Sequence, residues 1–579
     1  MDTQNLSRLE PVLCAVEELG LFSHPRRPAT PEGSNTAVLE GEVTIEGYDV
    51  TLQLVLDHAF PLRLPRFFLR PWDALGFIPH VDQSGLVCFL DAEGIVLDRR
   101  RPVEVIRDAW QRVVGTLADG VTGRNTTDFV EEFEWHWRRV QGGVAACSVL
   151  NPSEEVEEVL VTINRDRPLW VARSARDLAA FMNTTQPVGG QTLQRALYLP
   201  LECGTVIMPP RPDRPFWSVQ DVRGLLSHVS AANQKRLRQF LKGRARSREY
   251  VIVRLPRPSG GATLFGIRLD GVHKRHPLHD EGTARRLIPM YIQRWDHAYL
   301  VQRGGGTAAL ATKNVLLAGC GAVGGHLAFE LARAGVGALT LVDPDTLLPE
   351  NSYRHVLGRR YWGKKKAEAL KEEIEAQLPY VRVTAVVASV EVAVADGSVH
   401  IAAYDMLLLA LGNPTVELAI NEHLHTLRDG PPAVFTWLEP LGIGGHALLT
   451  HNSADGGCFE CLYTSPGDQE VLENRAAFAA PGQSFGRALS GCGSLHTPYG
   501  SVDAVQTAAL ATRLALAALL GTETGNPLCS WKGAAEAFTA AGFRLSPRYA
   551  ATEAELARHR YAYRRAGCRV CGSTGTGNA

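Results

Sequence analysis

The clearest pattern of apolar and polar positions lies between residues 314 and 343. Asn314 to Ala318 is a short, mainly apolar run of the buried-strand type, and a helical pattern extends from His326 to Ala334. A second apolar run, Ala338 to Val342, is followed directly by Asp343. A glycine-rich turn separates the first strand from the helix, so this stretch predicts a strand–helix–strand unit that ends on an acid.

The glycines of this unit predict a nucleotide site. Gly319, Gly321 and Gly324 stand in the spacing G-x-G-x-x-G, which lets backbone come close to phosphate groups. The following helix N-terminus offers unpaired N–H groups and the positive end of the helix dipole. Asp343 follows at the distance at which an acid grips a ribose. The glycine pattern alone is weak, but its order with the strands and the acid favours a nucleotide-binding fold.

The residues that follow resemble the ThiF/MoeB family, the adenylating fold shared with ubiquitin-activating enzymes. The family's patterns D-x-D, N-x-x-R and G-x-x-K are matched by Asp343-Pro-Asp345, Asn351-Ser-Tyr-Arg354 and Gly363 to Lys366. The resemblance implies that Asp343 holds the ribose of ATP, and that Asn351, Arg354 and Lys366 hold its phosphates. A dehydrogenase site beside a solvated basic run is the alternative, but a dehydrogenase does not need the three spaced polar residues.

Two positions depart from the pattern of that family. Arg294 matches the first arginine of an R-x-x-R segment that reaches toward ATP across a dimer, but His297 replaces the second. An apolar run from Tyr404 ends at Gly412-Asn413, where the family has an aspartate that acts at ATP and its metal before the asparagine. Asp345 and Asn413 are therefore the candidates for the Mg²⁺ and ATP contacts that Gly412 does not make.

Cysteines suggest a metal site and a covalent site in the same region. Two C-x-x-C pairs stand where the family carries its zinc knuckles, and four thiolates suit structural Zn²⁺; they are Cys458, Cys461, Cys568 and Cys571. Cys492 lies in a glycine-rich loop just before a helical stretch, where activating enzymes often place the cysteine that forms the first thioester. A turn cysteine without catalytic function is the alternative for Cys492, while Cys529 and Cys320 are weaker candidates.

The order of elements near the N-terminus resembles the ubiquitin-conjugating fold. An opening helical pattern is followed by a hairpin with strands Ala37 to Ile45 and Val50 to Leu56, then by spaced prolines, a histidine and a cysteine. The resemblance makes Cys88 the acceptor thiol and His80 the structural histidine of its loop. Val81-Asp82 replaces the usual Pro-Asn, and an ionised aspartate cannot donate a hydrogen bond. A small buried hydrophobe is the alternative for Cys88.

Length and charge limit the remaining possibilities. The chain has 579 residues, a formal net charge of −1 and eleven cysteines, which predicts several domains, no general attraction to nucleic acid or lipid, and metal or thiol chemistry. We expect a conjugating-like α+β domain at 1–145, an α+β connecting domain at 146–285 and a Rossmann-like adenylation domain at 286–579. The N-terminus shows no secretory pattern, so the sequence predicts a cytoplasmic protein.

The combination resembles bacterial fusions of activating and conjugating enzymes in CBASS anti-phage operons and related ubiquitin-like conjugation operons. It implies an ATP-dependent enzyme that adenylates the C-terminal carboxylate of a protein, forms a thioester on Cys492, transfers it to Cys88 and conjugates it to a target amine. The activated protein is a cGAS/DncV-like nucleotidyltransferase or a ubiquitin-like protein, and we expect a homodimer through the adenylation domain. A sulfur-carrier adenylyltransferase and a degenerate tail-binding scaffold remain as alternatives.

Overall fold

The structure, a computed structural model, describes residues 8–29, 35–163, 169–182, 192–211, 213–427, 429–452, 456–465, 471–488 and 495–572. The chain divides into two compact units, Met1–Leu178 with Gln186–Trp295 and Ala179–Thr185 with Asp296–Ala579. The first unit holds a small antiparallel sheet followed by a closed barrel, and the second holds an open sheet with apolar cores on both faces.

The N-terminal fold is an antiparallel sheet of four strands in sequential order. Along its third strand every second residue from Val50 to Leu56 is buried, which is the alternation expected when one face of a sheet covers a core. Two helices contribute Leu13, Val16 and Trp110 to that core, and the predicted hairpin is confirmed, with Ile45 opposite Tyr48. The elements are α1 Glu10–Glu18, β1 Ser23–Arg26, β2 Thr36–Ile45, β3 Tyr48–Asp57, β4 Arg66–Arg70 and α2 Pro102–Thr122.

A closed seven-stranded barrel follows, in the order β10-β11-β5-β7-β6-β8-β9. Its strands are β5 Val144–Ser148, β6 Glu157–Ile163, β7 Leu169–Ala172, β8 Thr192–Pro200, β9 Arg248–Pro256, β10 Ala262–Asp270 and β11 Arg286–Arg294. Its associated helices are α3 Asp128–Glu131, α4 Phe133–Arg138, α5 Ala175–Phe181, α6 Val219–Gly224 and α7 Ala231–Leu241. The mixture of strands and helices expected for the connecting region 146–285 is confirmed, but the closure of its strands into a barrel was not predicted.

Because of the last barrel strand, the domain boundary lies later in the chain than the sequence analysis predicts. β11 pairs with β10 and β5, so residues 286–294 complete the barrel instead of opening the following domain. The structure accordingly divides the chain between Trp295 and Asp296, where the sequence placed the boundary before residue 286. The apolar run of β11 does not show which sheet the strand will join, because that choice depends on pairing partners distant in sequence.

The second unit is built on a seven-stranded sheet in the order β14-β13-β12-β15-β16-β17-β22. The first five strands pair in parallel, and β17 and β22 join antiparallel. Its strands are β12 Asn314–Ala318, β13 Ala338–Val342, β14 Arg382–Val386, β15 Met406–Leu409, β16 Ala433–Leu438, β17 Gly444–Thr450 and β22 Leu528–Lys532. Two further sheets each consist of two strands of two residues. They are β18 Tyr463–Thr464 with β19 Glu473–Asn474, and β20 Arg487–Ala488 with β21 Leu495–His496.

Helices cover both faces of this sheet. Val315 and Leu317 of β12 point into one core and Leu316 and Ala318 into the other, as expected for a strand buried on both sides. The helices are α8 His297–Arg303, α9 Ala322–Ala334, α10 Lys366–Gln377, α11 Val390–Ala395, α12 Pro414–Thr426, α13 Ser501–Leu519, α14 Glu536–Ala540 and α15 Glu553–Arg558. α13 is long and apolar enough to cross a membrane by length and composition. Its buried residues Ala508, Ala511, Leu514 and Ala515 belong to one of these cores.

The strand order creates a crevice at one edge of the sheet. From β12 the chain proceeds outward to β13 and β14, then returns to the other side of β12 as β15 and β16. The loops after β12 and β15 therefore leave the carboxyl edge in opposite directions. Ligands bind at such a switch point in open α/β sheets, because the diverging loops leave a crevice between them.

Candidate functional site

The glycine loop lies at this switch point and is packed against the end of β15. Gly319 has a φ of +90°, and a Cβ there would lie 2.4 Å from the carbonyl oxygen of Ala410. A Cβ on Gly324 would lie 1.8 Å from the carbonyl oxygen of Gly319. Both positions require glycine, because every other residue brings a Cβ and disfavours this φ at Gly319. Gly321 differs, since nothing lies within 4 Å of an added Cβ.

A cavity of about 380 Å³ opens above this loop. Helix α9 begins at its floor with Gly321 as N-cap, and no side chain caps the helix. The first N–H groups of α9 are therefore offered to an anion, as at other phosphate-binding helix N-termini. Six of the predicted ATP residues line the cavity: Gly319, Gly321, Asp343, Asp345, Lys366 and Asn413.

Charged side chains on this lining are held by the backbone and by each other. The buried carboxylate of Asp343 accepts the N–H of Cys320 at 2.6 Å and that of Asp345 at 2.8 Å. An ionised carboxylate has about four acceptor positions, so Asp343 retains capacity for a ribose hydroxyl. Lys366 Nζ lies 2.7 Å from Asp345 Oδ2 at the start of α10. Asn413 caps α12 through its side-chain oxygen.

Asn351 and Arg354 do not line this cavity. Asn351 Oδ1 accepts the N–H of Leu348 at 3.0 Å, and the guanidinium of Arg354 lies 5.2 Å from the ring centre of Tyr499. Gly324 lies beneath the loop, where it permits the close packing described above. The structure therefore brings six of the predicted ATP residues together at the cavity. The other three, Gly324, Asn351 and Arg354, make contacts elsewhere.

Two buried residues behind the cavity were not predicted. Glu417 of α12 accepts the N–H of Leu411 at 3.2 Å, and burial raises the pKa of its carboxyl to about 7. His355 Nδ1 accepts the N–H of Leu357, so its Nε2 carries the proton and donates to the Cys320 carbonyl at 2.8 Å. Burial lowers the pKa of His355, which keeps the ring neutral. Glu417 stands four residues, about one helical turn, after the predicted residue Asn413, and this spacing could have indicated it.

The first unit presents Cys88 as an exposed thiol. Its N–H donates to the carbonyl of His80 at 2.8 Å, which closes the loop between the two residues. Partial burial, followed by the negative charges of Glu132 and Asp82, raises the pKa of the Cys88 thiol, and the positive charge of Arg139 opposes this. The thiol is accessible but stays mostly protonated at neutral pH, so its reaction requires a proton acceptor.

His80 is clamped by two carboxylates. Its Nδ1 lies 2.8 Å from Glu132 Oε1, its Nε2 lies 2.9 Å from Asp128 Oδ2, and its backbone N–H donates to Glu132. The side-chain hydrogen bond to Glu132 is the main cause that raises the pKa of His80 to about 9, and the Glu132 pKa falls to about 2. These contacts hold His80 at a φ of +66°, an uncommon backbone conformation for a residue other than glycine. We call the three residues the His80 clamp.

Asp82 is a structural acceptor in the same loop. Its Oδ1 accepts the N–H groups of Ser84 at 2.7 Å and Leu86 at 3.0 Å. A carboxylate suits this position because it accepts several backbone hydrogen bonds at once. Asp82 therefore steadies the loop through acceptance, although it cannot supply the donor that an asparagine would provide.

The two C-x-x-C pairs meet in the second unit. The Sγ atoms of Cys458, Cys461, Cys568 and Cys571 all lie within 4.8 Å of one another. Cys458 Sγ is 3.6 Å from Cys568 Sγ, and Cys461 Sγ is 3.3 Å from Cys571 Sγ. A tetrahedral ion with four metal–sulfur bonds of about 2.3 Å requires sulfur atoms about 3.8 Å apart. The cluster therefore fits such an ion.

Two further predicted residues stand apart from these sites. Arg294 ends β11 of the barrel, and its Nη1 donates to the carbonyl of Ala262 at 3.0 Å. Cys492, the predicted first thioester cysteine, lies outside the described residues.

Comparison with known proteins identifies the two domain types. Residues 29–144 match Prokaryotic E2 family B, and residues 298–529 match the ThiF family. The chain is therefore a fusion of an E2-like domain and a ThiF domain. We refer to them by these names.

The relatives include proteins that align with most of the chain. The chain is 26% identical over 484 residues to the "ATP-dependent ubiquitin transferase-like protein Cap2" of Pseudomonas aeruginosa, covering 80% of this chain and 84% of the relative. It is 22% identical over 543 residues to the Cap2 protein of Escherichia coli, covering 83% and 87%. Among solved structures, E. coli MccB with MccA-N7isoASN matches at 17% identity and a TM-score of 0.32, over 47% of this chain and 70% of that one.

The glycine packing gives a first testable prediction. In Gly324→Ala the new Cβ meets the Gly319 carbonyl oxygen at 1.8 Å, so we expect a loss of about 1–3 kcal/mol in unfolding free energy. Gly321→Ala has open space around its Cβ and serves as the control, with a much smaller change expected. Thermal unfolding without nucleotide measures both variants, and equal midpoints would contradict the packing.

The His80 clamp predicts a pH dependence. Because the pKa of His80 is raised from 6.5 to about 9, its stabilising contribution is fully present below pH 6.5 and is lost as the pH rises through 9. We expect the stability difference between wild type and His80→Gln to shrink over this interval in urea unfolding. The control is His58→Gln, which replaces an exposed histidine. A difference that grows toward pH 9 would show that His80 is not held as a cation.

Proposed function

We propose that this protein activates the C-terminal carboxylate of another protein with ATP and passes the acyl group to a target amine. The observation that carries the proposal is the presence, in one chain, of a nucleotide-type cavity in a ThiF domain and an exposed cysteine in an E2-like domain. The names of the Cap2 relatives support the same activity.

Adenylation takes place at the glycine loop. The N–H groups at the start of α9 and the Lys366 ammonium hold the phosphates, while Asp343 accepts a ribose hydroxyl. The tail carboxylate attacks the α-phosphorus of ATP, an acyl-adenylate forms and pyrophosphate leaves. Asp345 and Asn413 line the cavity and carry side-chain oxygen atoms, the donor type that Mg²⁺ takes together with phosphates. Asn351 and Arg354 contact the phosphates when substrate is bound.

A thioester relay follows the adenylation. The Cys492 thiolate attacks the acyl carbon and AMP leaves, and the Cys88 thiolate then displaces Cys492. His80 keeps the Cys88 loop in position through the His80 clamp. A target amine finally attacks the Cys88 thioester, forming an amide and releasing the thiol. The carrier is a ubiquitin-like protein or a cGAS/DncV-like nucleotidyltransferase, and the process serves anti-phage defence.

The four cysteines hold a structural Zn²⁺ ion. Their mutual distances suit tetrahedral coordination, and four thiolates leave no open position for a substrate. The ion joins Cys568 and Cys571 near the C-terminus to the segment that follows β17. The ThiF domain also forms a homodimer in this proposal.

Metal removal tests the zinc assignment. We expect one zinc per chain by elemental mass spectrometry, lost in Cys568→Ser together with at least about 5 °C of thermal midpoint. Cys203→Ser, which changes an exposed cysteine outside the cluster, is the control and should retain the metal. Equal zinc content in the two variants would contradict the assignment.

A non-reducing gel tests the relay. The protein is mixed with ATP, Mg²⁺ and a candidate tail-bearing protein from the same genome. We expect thiol-sensitive adducts in the wild type, none in Cys492→Ala, and an adduct confined to the ThiF domain in Cys88→Ala. Cys203→Ala should behave as wild type.

Other outcomes of this experiment separate the alternatives. Pyrophosphate exchange without any adduct would contradict the relay and favour an adenylyltransferase that forms no thioester. An absence of both adduct and exchange with every carrier would favour a tail-binding scaffold.

A further inference from the structure

A second cavity of about 250 Å³ opens in the first unit between the E2-like domain and the barrel. The Cys88 loop contributes Gln83, helix α4 and the residue after it contribute Trp135 and Arg139, and a proline-rich loop of the barrel contributes Pro210, Arg211 and Phe216. We call this cavity the Trp135–Phe216 groove. Gln83 belongs to the Cys88 loop and the charge of Arg139 acts on the Cys88 thiol, while the other four residues lie outside the sites described above.

The groove begins at the Cys88 loop. Gln83 lies between His80 and Cys88, and the charge of Arg139 is close enough to lower the pKa of the Cys88 thiol. His136, which also lines the groove, lies 3.7 Å from the Glu132 carboxylate of the His80 clamp. A chain that is linked covalently to the Cys88 sulfur therefore begins beside this groove.

The groove walls combine aromatic surface with positive charge. Trp135 is 39% exposed and Phe216 is 50% exposed, and the Arg139 guanidinium lies 3.5 Å from the ring centre of Trp135. Its described lining includes two arginines and no carboxylate. Arg211 is paired with Asp213, whereas Arg139 has no ion-pair partner among the described residues. This chemistry suits a segment with a large apolar side chain and a neighbouring carboxylate.

We propose that the Trp135–Phe216 groove holds the C-terminal tail of the carrier protein while its last carbonyl is linked to Cys88. An aromatic side chain of the tail packs between Trp135 and Phe216, and an acidic side chain pairs with Arg139. The proposal rests on the proposed function, since it requires a thioester at Cys88. It gives the barrel a role in selecting the carrier.

The tail fits this groove better than the target does. A thioester fixes the tail at Cys88, so its preceding residues meet the groove at a high effective concentration, whereas a target approaches only from solution. An extended tail advances about 3.3 Å per residue, so residues a few positions from the C-terminus reach the groove. Aromatic and acidic side chains at those positions provide the selectivity.

Synthetic peptide thioesters test this without ATP or Cys492. The Cys88 thiolate attacks the carbonyl of a peptide 2-mercaptoethanesulfonate thioester, the leaving thiolate departs, and the proton lost by Cys88 passes to buffer. Three peptides carry Phe–Glu, Phe–Lys or Ser–Ser near the C-terminus and are otherwise identical. Loading of the full chain is followed by mass spectrometry of the Cys88 peptide, with Cys88→Ala as the blank.

We expect the Phe–Glu peptide to load about five- to tenfold faster than the Ser–Ser peptide. Phe216→Ser should remove the advantage of phenylalanine, and Arg139→Glu should invert the order of the Phe–Glu and Phe–Lys peptides. Rate ratios within one variant are compared, because Arg139 also alters the thiol pKa. Tyr48→Ser, at an exposed aromatic residue at the start of β3, should retain the wild-type ratios.

Three results would overturn the groove proposal. Equal rates for the three peptides, or wild-type ratios in Phe216→Ser and Arg139→Glu, would overturn the groove proposal while leaving Cys88 as acceptor. Variants that change only the later transfer to an added amine would assign the groove to the target and overturn the proposal. If no peptide loads Cys88, both the acceptor role and the groove proposal fail.

Discussion

The nucleotide site depends on a contact between backbone segments that leaves no room for a methyl group. The glycine loop after β12 lies against Ala410 at the end of β15, and a Cβ at Gly319 or Gly324 would overlap a carbonyl oxygen. This contact sets where α9 begins, and so where its free N–H groups point. Asp343 accepts the N–H of Cys320 next to Gly319, so the acid and the glycine loop are fixed as one structure. Adenylation requires such a rigid cradle, because its catalysis comes mainly from positioning charged groups.

The Cys88 site is organised by charge instead of close packing. Asp128 and Glu132 belong to the segment that leads into the barrel, where Phe133 packs on Phe265. The segment that contacts the barrel core therefore also fixes the histidine of the Cys88 loop. This link gives the barrel a structural connection to the Cys88 loop. It also explains why the loop tolerates the loss of the usual Pro-Asn, since Asp82 and the His80 clamp hold it by other contacts.

Local patterns predicted much of this architecture. The strand–helix–strand unit, the hairpin and the two cysteine pairs each lie within short stretches, and each is present in the structure. Contacts between distant residues were missed: Glu132 lies 52 residues from His80, and nothing near either marks the pair. The barrel was missed for the same reason, because its closure depends on the parallel pairing of β11 with β5 across more than a hundred residues of chain.

The proposed function depends first on adenylation of a protein tail by the ThiF domain. Rapid-quench analysis with ATP labelled at the α-phosphorus, in the presence of the carrier, tests it most directly. We expect labelled AMP and an equal amount of pyrophosphate, with one AMP released for each carrier molecule attached to a cysteine. Labelled ADP as the product, or AMP release that continues without attachment of the carrier, would contradict it.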